Sequence, residues 1–169
     1  MTSIQTMIAE DPIIVKHEVI KLNSAYDSFI EKLDTLVKKL DIKYAQNVAT
    51  EPKKTEEYLR SLEGETGLIM FGIQNHGELL AMIGKRRKGR QYEIGNPLVA
   101  IQMTIHDFRA ALYAPLRIIV YEDEKQQAFV EYDLPSSLFG QFGNDAIDEV
   151  AKDLDKKLLN VITIADSTL

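Results

Sequence analysis

Cysteine is absent from the 169 residues. Disulfides, thiolate zinc sites and cysteine nucleophiles are thereby excluded. The redox compartment stays open, because reduced cytosolic chains and cysteine-free secreted chains both satisfy that composition. Long apolar runs are missing too: a stretch such as Leu68 to Phe71 falls far short of the roughly 20 residues that a membrane span needs. The N-terminal MTSIQTMIAEDP has no basic n-region and no apolar h-region, so no secretory signal is expected and the chain is read as cytoplasmic. Nor is there an excess of positive charge. Acidic residues number 26 against 20 basic ones, a net charge of −6, which disfavours a general nucleic-acid binder. The basic cluster Lys85, Arg86, Arg87, Lys88 and Arg90 reads as a solvated loop, with only Tyr92 nearby to stack on a base.

Signature motifs are equally scarce. The chain has no Walker loop, no G-x-G-x-x-G and no G-x-S-x-G elbow, so nucleotide and serine-hydrolase chemistry have no foothold. His17, His76 and His106 fall on three separate elements without the spacing of a zinc site. No metal, no cofactor and no catalytic residue is therefore assigned.

What remains has the length of one domain, long enough to bury roughly 70% of its unfolded surface in a core. Residues 1–11 are expected to be a tail and Pro12 to open the first element. Residues 13–22 are rich in β-branched side chains and read as a half-buried strand, with Ile13, Val15 and Val19 on the core side and His17 among them. Ser24 and Asp27 have capping-box spacing, and Tyr26, Phe29, Ile30, Leu33, Leu36, Val37 and Leu40 predict an amphipathic helix over 24–40. Within 41–66, Pro52 and Gly64 bracket a short helix at 52–63. A strand is expected at 67–74, a short helix at 77–84 and a strand at 91–94. Asn96 and Pro97 then signal a helix start, and Leu98, Ile101, Ile105, Phe108 and Leu112 continue at helical spacing up to Pro115. Strands 116–122 and 127–133 flank an acidic turn. A last helix, capped by Asn144 or Asp145, presents Ile147, Val150, Leu154 and Leu158, with a tail from 161. The pattern predicts a single α+β domain over 12–160, its roughly five-stranded, mainly antiparallel sheet covered by helices mostly on one face.

Four segments, in order, resemble the family known as domain of unknown function 302. They are Phe71-Gly-Ile-Gln-Asn-His-Gly-Glu-Leu-Leu-Ala81, in which Asn75 stands where the family commonly has Asp; Ile94-Gly-Asn-Pro97 with Met103 in the following helix; Ala114-Pro-Leu-Arg-Ile-Ile-Val-Tyr-Glu-Asp123; and Val130-Glu-Tyr-Asp-Leu-Pro135. The resemblance spans about 67–140 and implies a fold similar to the TATA-binding-protein-like α+β class, with 41–66 as an insertion. It implies a fold and a patch rather than a reaction.

The patch supplies the candidate ligand-binding residues: His76 with Asn75 at a strand-to-helix junction, Gly95 and Asn96 at a helix start where free N–H groups and the positive dipole end suit an anion, and Arg117, Tyr132 and Asp133 at strand ends. Each has a structural alternative as a cap, a turn or a surface side chain. Together they suggest a small binding module, expected to be homodimeric, with a modest polar pocket for a small anionic ligand. The rivals are an enzyme using His76 or Asp133 as acid or base, and a structural protein acting through dimerisation or a sheet edge. Convergence of these residues on one cavity decides among them.

Overall fold

The computed structural model describes residues 9–41, 43 and 48–167. Its centre is the hairpin of β4 (Leu116–Glu122) and β5 (Ala128–Asp133). The acidic turn makes the hairpin as the sequence suggests: the Asp123 carboxylate accepts from the amides of Lys125 at 2.8 Å and Gln127 at 2.9 Å, the Asx-type bonding that favours Asp in turns. β1 (His17–Lys21) pairs with β5, and β3 (Gly89–Gly95) with β4. β2 (Ile69–Gln74) closes the far edge, giving an antiparallel five-stranded sheet in the order β1-β5-β4-β3-β2.

One face carries the core. Tyr92, Ile94, Leu116, Ile118, Val120, Val130 and Tyr132 alternate inward from the strands, as a pleated half-buried sheet requires. Two amphipathic helices cover them: α1 (Tyr26–Leu36), through Phe29 and Leu33, and, after the short α5 (Pro135–Phe139), α6 (Asp145–Asp166), through Ile147, Leu154, Leu158 and Val161. Burying each large side chain completely contributes about 1.5–3 kcal/mol. Asn144 caps α6 by accepting from the amides of Ala146 and Ile147, and Asp145 and Asp148 place negative charge near its positive end. A smaller cluster of Leu40, Leu59 and Ile69 joins α2 (Pro52–Leu62) to the β2 edge. Of the expected insertion at 41–66, residues 42 and 44–47 lie outside the described residues; the N-terminal tail is described only from residue 9.

Several expectations change. The faces of β1 are exchanged: Ile20 packs against the core and Val19 is 57% exposed. Both alternating sets in 13–22 are partly apolar, so composition could not choose between them. α1 ends at Leu36, and the chain then runs extended, Lys38 accepting from the Met70 amide while Leu40 donates to the Met70 carbonyl. The Ser24–Asp27 capping box does not form, because the Ser24 hydroxyl donates to Asp166 and Asp27 pairs with Lys88. The single helix expected after Pro97 is instead α4 (Pro97–Thr104) followed by a 3-10 helix, Phe108–Tyr113. Val99, Met103 and Ala110 are buried, while Ile101, Ile105, Phe108 and Leu112 are 57%, 76%, 81% and 78% exposed. The stretch is apolar on more than one face, so its spacing identified the wrong one. The expected tail from 161 is the final turn of α6, with Val161, Ile162 and Ala165 in the core.

Two of the five clustered cations clip α1 to the sheet: Lys88 lies 2.8 Å from Asp27, and Arg90 lies 3.6 Å from Asp34. Beneath them Tyr92 is fully buried, and among the described residues no group meets full hydrogen-bond geometry at its hydroxyl, the Arg90 guanidinium making only a loose polar contact. Burial pushes the acidity of this phenol down and the Asp34 charge adds to that, against the contact with Arg90. A buried hydroxyl so weakly paired carries most of its desolvation cost without return. Tyr92→Phe is therefore expected to leave stability within about 1 kcal/mol of wild type, or raise it. A loss above about 2 kcal/mol on urea denaturation would show that the hydroxyl has a partner after all.

Candidate functional site

The sheet register separates the residues singled out from the sequence. Ile69 pairs with Gly95 at one end of β2–β3 and Gln74 pairs with Gln91 at the other. Four residue steps along β3, or five along the bulged β2, at about 3.3 Å each put those ends roughly 13–16 Å apart. Asn75 and His76 follow Gln74; Asn96 follows Gly95. Arg117 pairs with Glu93, and Tyr132 with Ile118, which itself pairs with Tyr92, so these residues fall in the middle rows of the sheet, and Tyr132 and Asp133 stand on β5, three strands over from β2. The faces differ as well, Tyr132 pointing into the core and Arg117 and Asp133 lying on the outer face. The expected single polar pocket does not assemble, and proton transfer between His76 and Asp133 at one substrate is not supported by the placement.

Asn75, Asn96, Tyr132 and Asp133 have local occupations, while Arg117 is exposed. The Asn75 side chain accepts from the Glu78 amide at 3.0 Å and caps the short helix α3 (His76–Leu79). His76 itself is exposed. Asn96 is buried: its carbonyl accepts from Leu98 N at 2.9 Å, and its amide donates to Glu63 at 2.7 Å and to the Gly67 carbonyl at 3.0 Å. The helix-start amide offered to an anion is thus already occupied, with the Glu63 carboxylate beside it. Burial raises the pKa of Tyr132, and the Glu18 and Asp155 charges add to the effect. Asp133 accepts from His17.

The cavity the chain does build lies on the other side of Asn96. It has a volume of about 270 Å³, and it forms where the end of β3, the start of β4 and α4 meet. Pro97 starts α4, and a cis Ala114–Pro115 bond leads into β4. A Cβ at Gly95 would make ordinary contact with Pro115 at 3.5 Å and Phe71 at 3.6 Å, so the glycine adds space beside the wall without being required by a clash. Ala100, Ala111 and Ala114 leave the space, and Phe71, Met103, Pro115 and Phe139 wall it. Asn96 and Thr104 are the only side chains in the lining that carry polar atoms, and none of the lining residues is ionisable. Such a cavity holds a ligand by apolar burial and shape; it contains no group for acid–base chemistry.

A family model described as Domain of unknown function DUF302 matches residues 44–165. The chain belongs to this family. Its fold is similar to the crystal structure of an uncharacterized conserved DUF302 protein from Bacillus stearothermophilus, with a TM-score of 0.62 and 18% sequence identity over 88% of this chain and 97% of that one. No curated protein matches the chain. Of the four family-like segments, three contribute to the cavity, through Phe71, through Gly95–Pro97 with Met103, and through Ala114–Leu116. The segment around Tyr132 does not line it. Glycine packing explains part of the first segment, because Gly77 is buried against the backbone of Arg87.

The sequence reading missed a second polar arrangement on the outer face, where His17 bridges two carboxylates of β5. Its Nδ1 is 2.9 Å from Asp133 Oδ1 and its Nε2 is 2.9 Å from Glu131 Oε2. The Tyr121 hydroxyl donates to the other oxygen of Glu131. Hydrogen bonds to Asp133 and Glu131 raise the His17 pKa. Those from Tyr121 and His17 hold Glu131 below the ordinary carboxylate range, and Tyr121 is pushed up to about 12 by its bond to Glu131 and by burial. The alternation of Phe129, Glu131 and Asp133 was visible in the sequence, but their pairing with β1 was not.

Among the described residues no group of histidine and carboxylate side chains is arranged to hold a metal ion, and no helix is long and apolar enough to cross a membrane.

Proposed function

We propose that this domain is a binding module for a small, predominantly apolar molecule seated in the cavity between α4 and the β3–β4 end of the sheet. One observation carries the reading: three family-like segments, remote along the chain, supply a cavity lined by carbon. The exposed Ile101, Ile105, Phe108 and Leu112 on the same α4–3-10 stretch support it, since clustered exposed apolar side chains mark interaction sites. An anionic ligand has weaker support and belongs to the shallow polar surface on the other side of Asn96, where Arg60, Lys156 and Lys157 lie beside Glu63 and Glu65. A homodimer would use the exposed outer face of the sheet around Val19 and Arg117, and light scattering after size exclusion tests it.

Ligand binding to the native state raises the melting temperature, by an equivalent of about 2.7 kcal/mol at a hundredfold excess over Kd. A panel of small aromatic and aliphatic compounds is expected to contain members that stabilise the wild type saturably. Ala100→Phe, which fills the cavity, is expected to abolish that shift. Inorganic phosphate and citrate form the anionic arm. Stabilisation by anions alone, or apolar hits that survive Ala100→Phe, would refute the apolar cavity as the site.

A further inference from the structure

We propose that His17 is a proton-operated latch that fastens the edge strand β1 to the sheet when its imidazole is charged and loosens it when the proton leaves. β1 is an end strand, joined only to β5. Leu22 N donates to the Ala128 carbonyl and Leu134 N to the Lys16 carbonyl, so in this register the even-numbered residues of β1 are the hydrogen-bonded pairs. His17 opposite Asp133 and Val19 opposite Glu131 are then the closer, non-hydrogen-bonded pairs, in which side chains meet most intimately. Within that frame the imidazole contacts one carboxylate through each ring nitrogen, at 2.9 Å in both cases.

The charge state decides whether both contacts hold. An imidazolium donates from both nitrogens; a neutral ring donates from one and turns a lone pair to the other carboxylate. Loss of the proton therefore converts one charge-assisted hydrogen bond into a repulsion at the first residue of the strand. The groups facing His17 are Glu131 and Asp133 from β5, with Tyr121 of β4 bound to the far side of Glu131 and Arg117 of β4 on the same outer face. On its own strand, Lys16 and Glu18 alternate to the opposite face, and Lys21 lies one strand-length away. Both carboxylates favour the charged ring, in agreement with its raised pKa. The sign follows. A histidine whose folded pKa lies above its unfolded value stabilises fully below about 6.5 and loses that contribution as pH rises through the folded value. The freed strand would expose the β5 edge, whose unpaired backbone groups can accept another strand.

Hydrogen exchange on the full chain tests the latch, after correction for intrinsic exchange rates. Between about pH 6 and about pH 8.5, protection of the Glu18, Ile20 and Leu22 amides is expected to fall roughly three- to tenfold. Protection at Tyr92 and Ile118 in the central strands should be unchanged, and the His17 ring should titrate above about 6.5 by NMR. In His17→Gln the fall should vanish, and in Glu131→Gln the His17 pKa should drop. The latch is overturned by a ring that titrates at or below the ordinary value, by protection that falls equally across the sheet, or by a fall that persists in His17→Gln. The two wild-type measurements decide it even if a variant fails to fold.

Discussion

Gly77→Ala is expected to destabilise the protein by about 3 kcal/mol, at the upper end of what overpacking costs. A Cβ at Gly77 would stand 2.1 Å from the Arg87 carbonyl oxygen and 2.9 Å from the Gly89 amide nitrogen. Both neighbours are backbone, so no side chain can swing away. Relief needs α3 to lift from the start of β3 by an ångström or more, taking with it the Asn75 cap. Gly84→Ala is the control. Gly84 has φ of 71° and nothing within 4 Å of its would-be Cβ, so only the left-handed backbone penalty of about 1–2 kcal/mol applies. Urea denaturation of the two variants should rank them in that order, with Gly77→Ala the lower in midpoint. Equal midpoints would mean that α3 does not press on the β3 backbone.

Asp166→Ala is expected to cost a similar amount, about 3 kcal/mol, since hydrogen bonds to a charged group contribute about 1.5–3 kcal/mol each and some are replaced by water. Asp166 ends α6, where its negative charge opposes the helix dipole. It is held there by four donors from the chain just before α1: the amides of Asn23 and Ser24, the Asn23 side chain and the Ser24 hydroxyl, at 2.8–3.0 Å. Truncation would leave the buried Ser24 donors unpaired and release the α1–α6 corner. Partial burial of the carboxylate raises its pKa, but the amides of Asn23 and Ser24 outweigh this, and the net shift is downward. The stabilisation is thus complete above the ordinary Asp range near 3.8 and disappears as pH falls through the depressed value. Asp166→Asn should flatten the acid limb of the stability profile and leave its neutral-to-alkaline limb, governed in part by His17, unchanged. An acid limb with the same slope in both proteins would contradict the assignment.

Local chemistry was the legible part of this chain. The Asp123 turn, the caps at Asn96 and Asn144, Pro97 at a helix start and the α1 and α6 stripes all follow from neighbours a few residues apart, and together they yield the five-stranded, one-sided sheet. The errors arise where apolar residues occupy more than one face. In 13–22 Val19 competes with Ile20 for the core, and after Pro97 the exposed Ile101, Ile105 and Phe108 fit a helical stripe as well as the buried Val99, Met103 and Ala110 do. Only packing can resolve such ties. The site failed for a different reason. His76 and Asn96 both sit at strand-to-helix junctions, and one-dimensional order does not reveal that antiparallel pairing sends those junctions to opposite ends. The His17–Glu131–Tyr121 contacts likewise depend on a register linking residues more than a hundred positions apart. What the resemblance did contribute was the cavity, through Gly95–Pro97 and Ala114–Leu116, though as an apolar wall rather than an anion site.

Occupation of the carbon-lined cavity by a ligand should be visible in methyl-labelled NMR spectra of the full chain, titrated with the best apolar compound from the thermal panel. Saturable shifts concentrated at the methyls of Ala100, Ala111, Ala114 and Met103, and lost in Ala100→Phe, are the expected result. Unperturbed cavity methyls, with shifts gathered instead near His76 or over the outer sheet face, would contradict it.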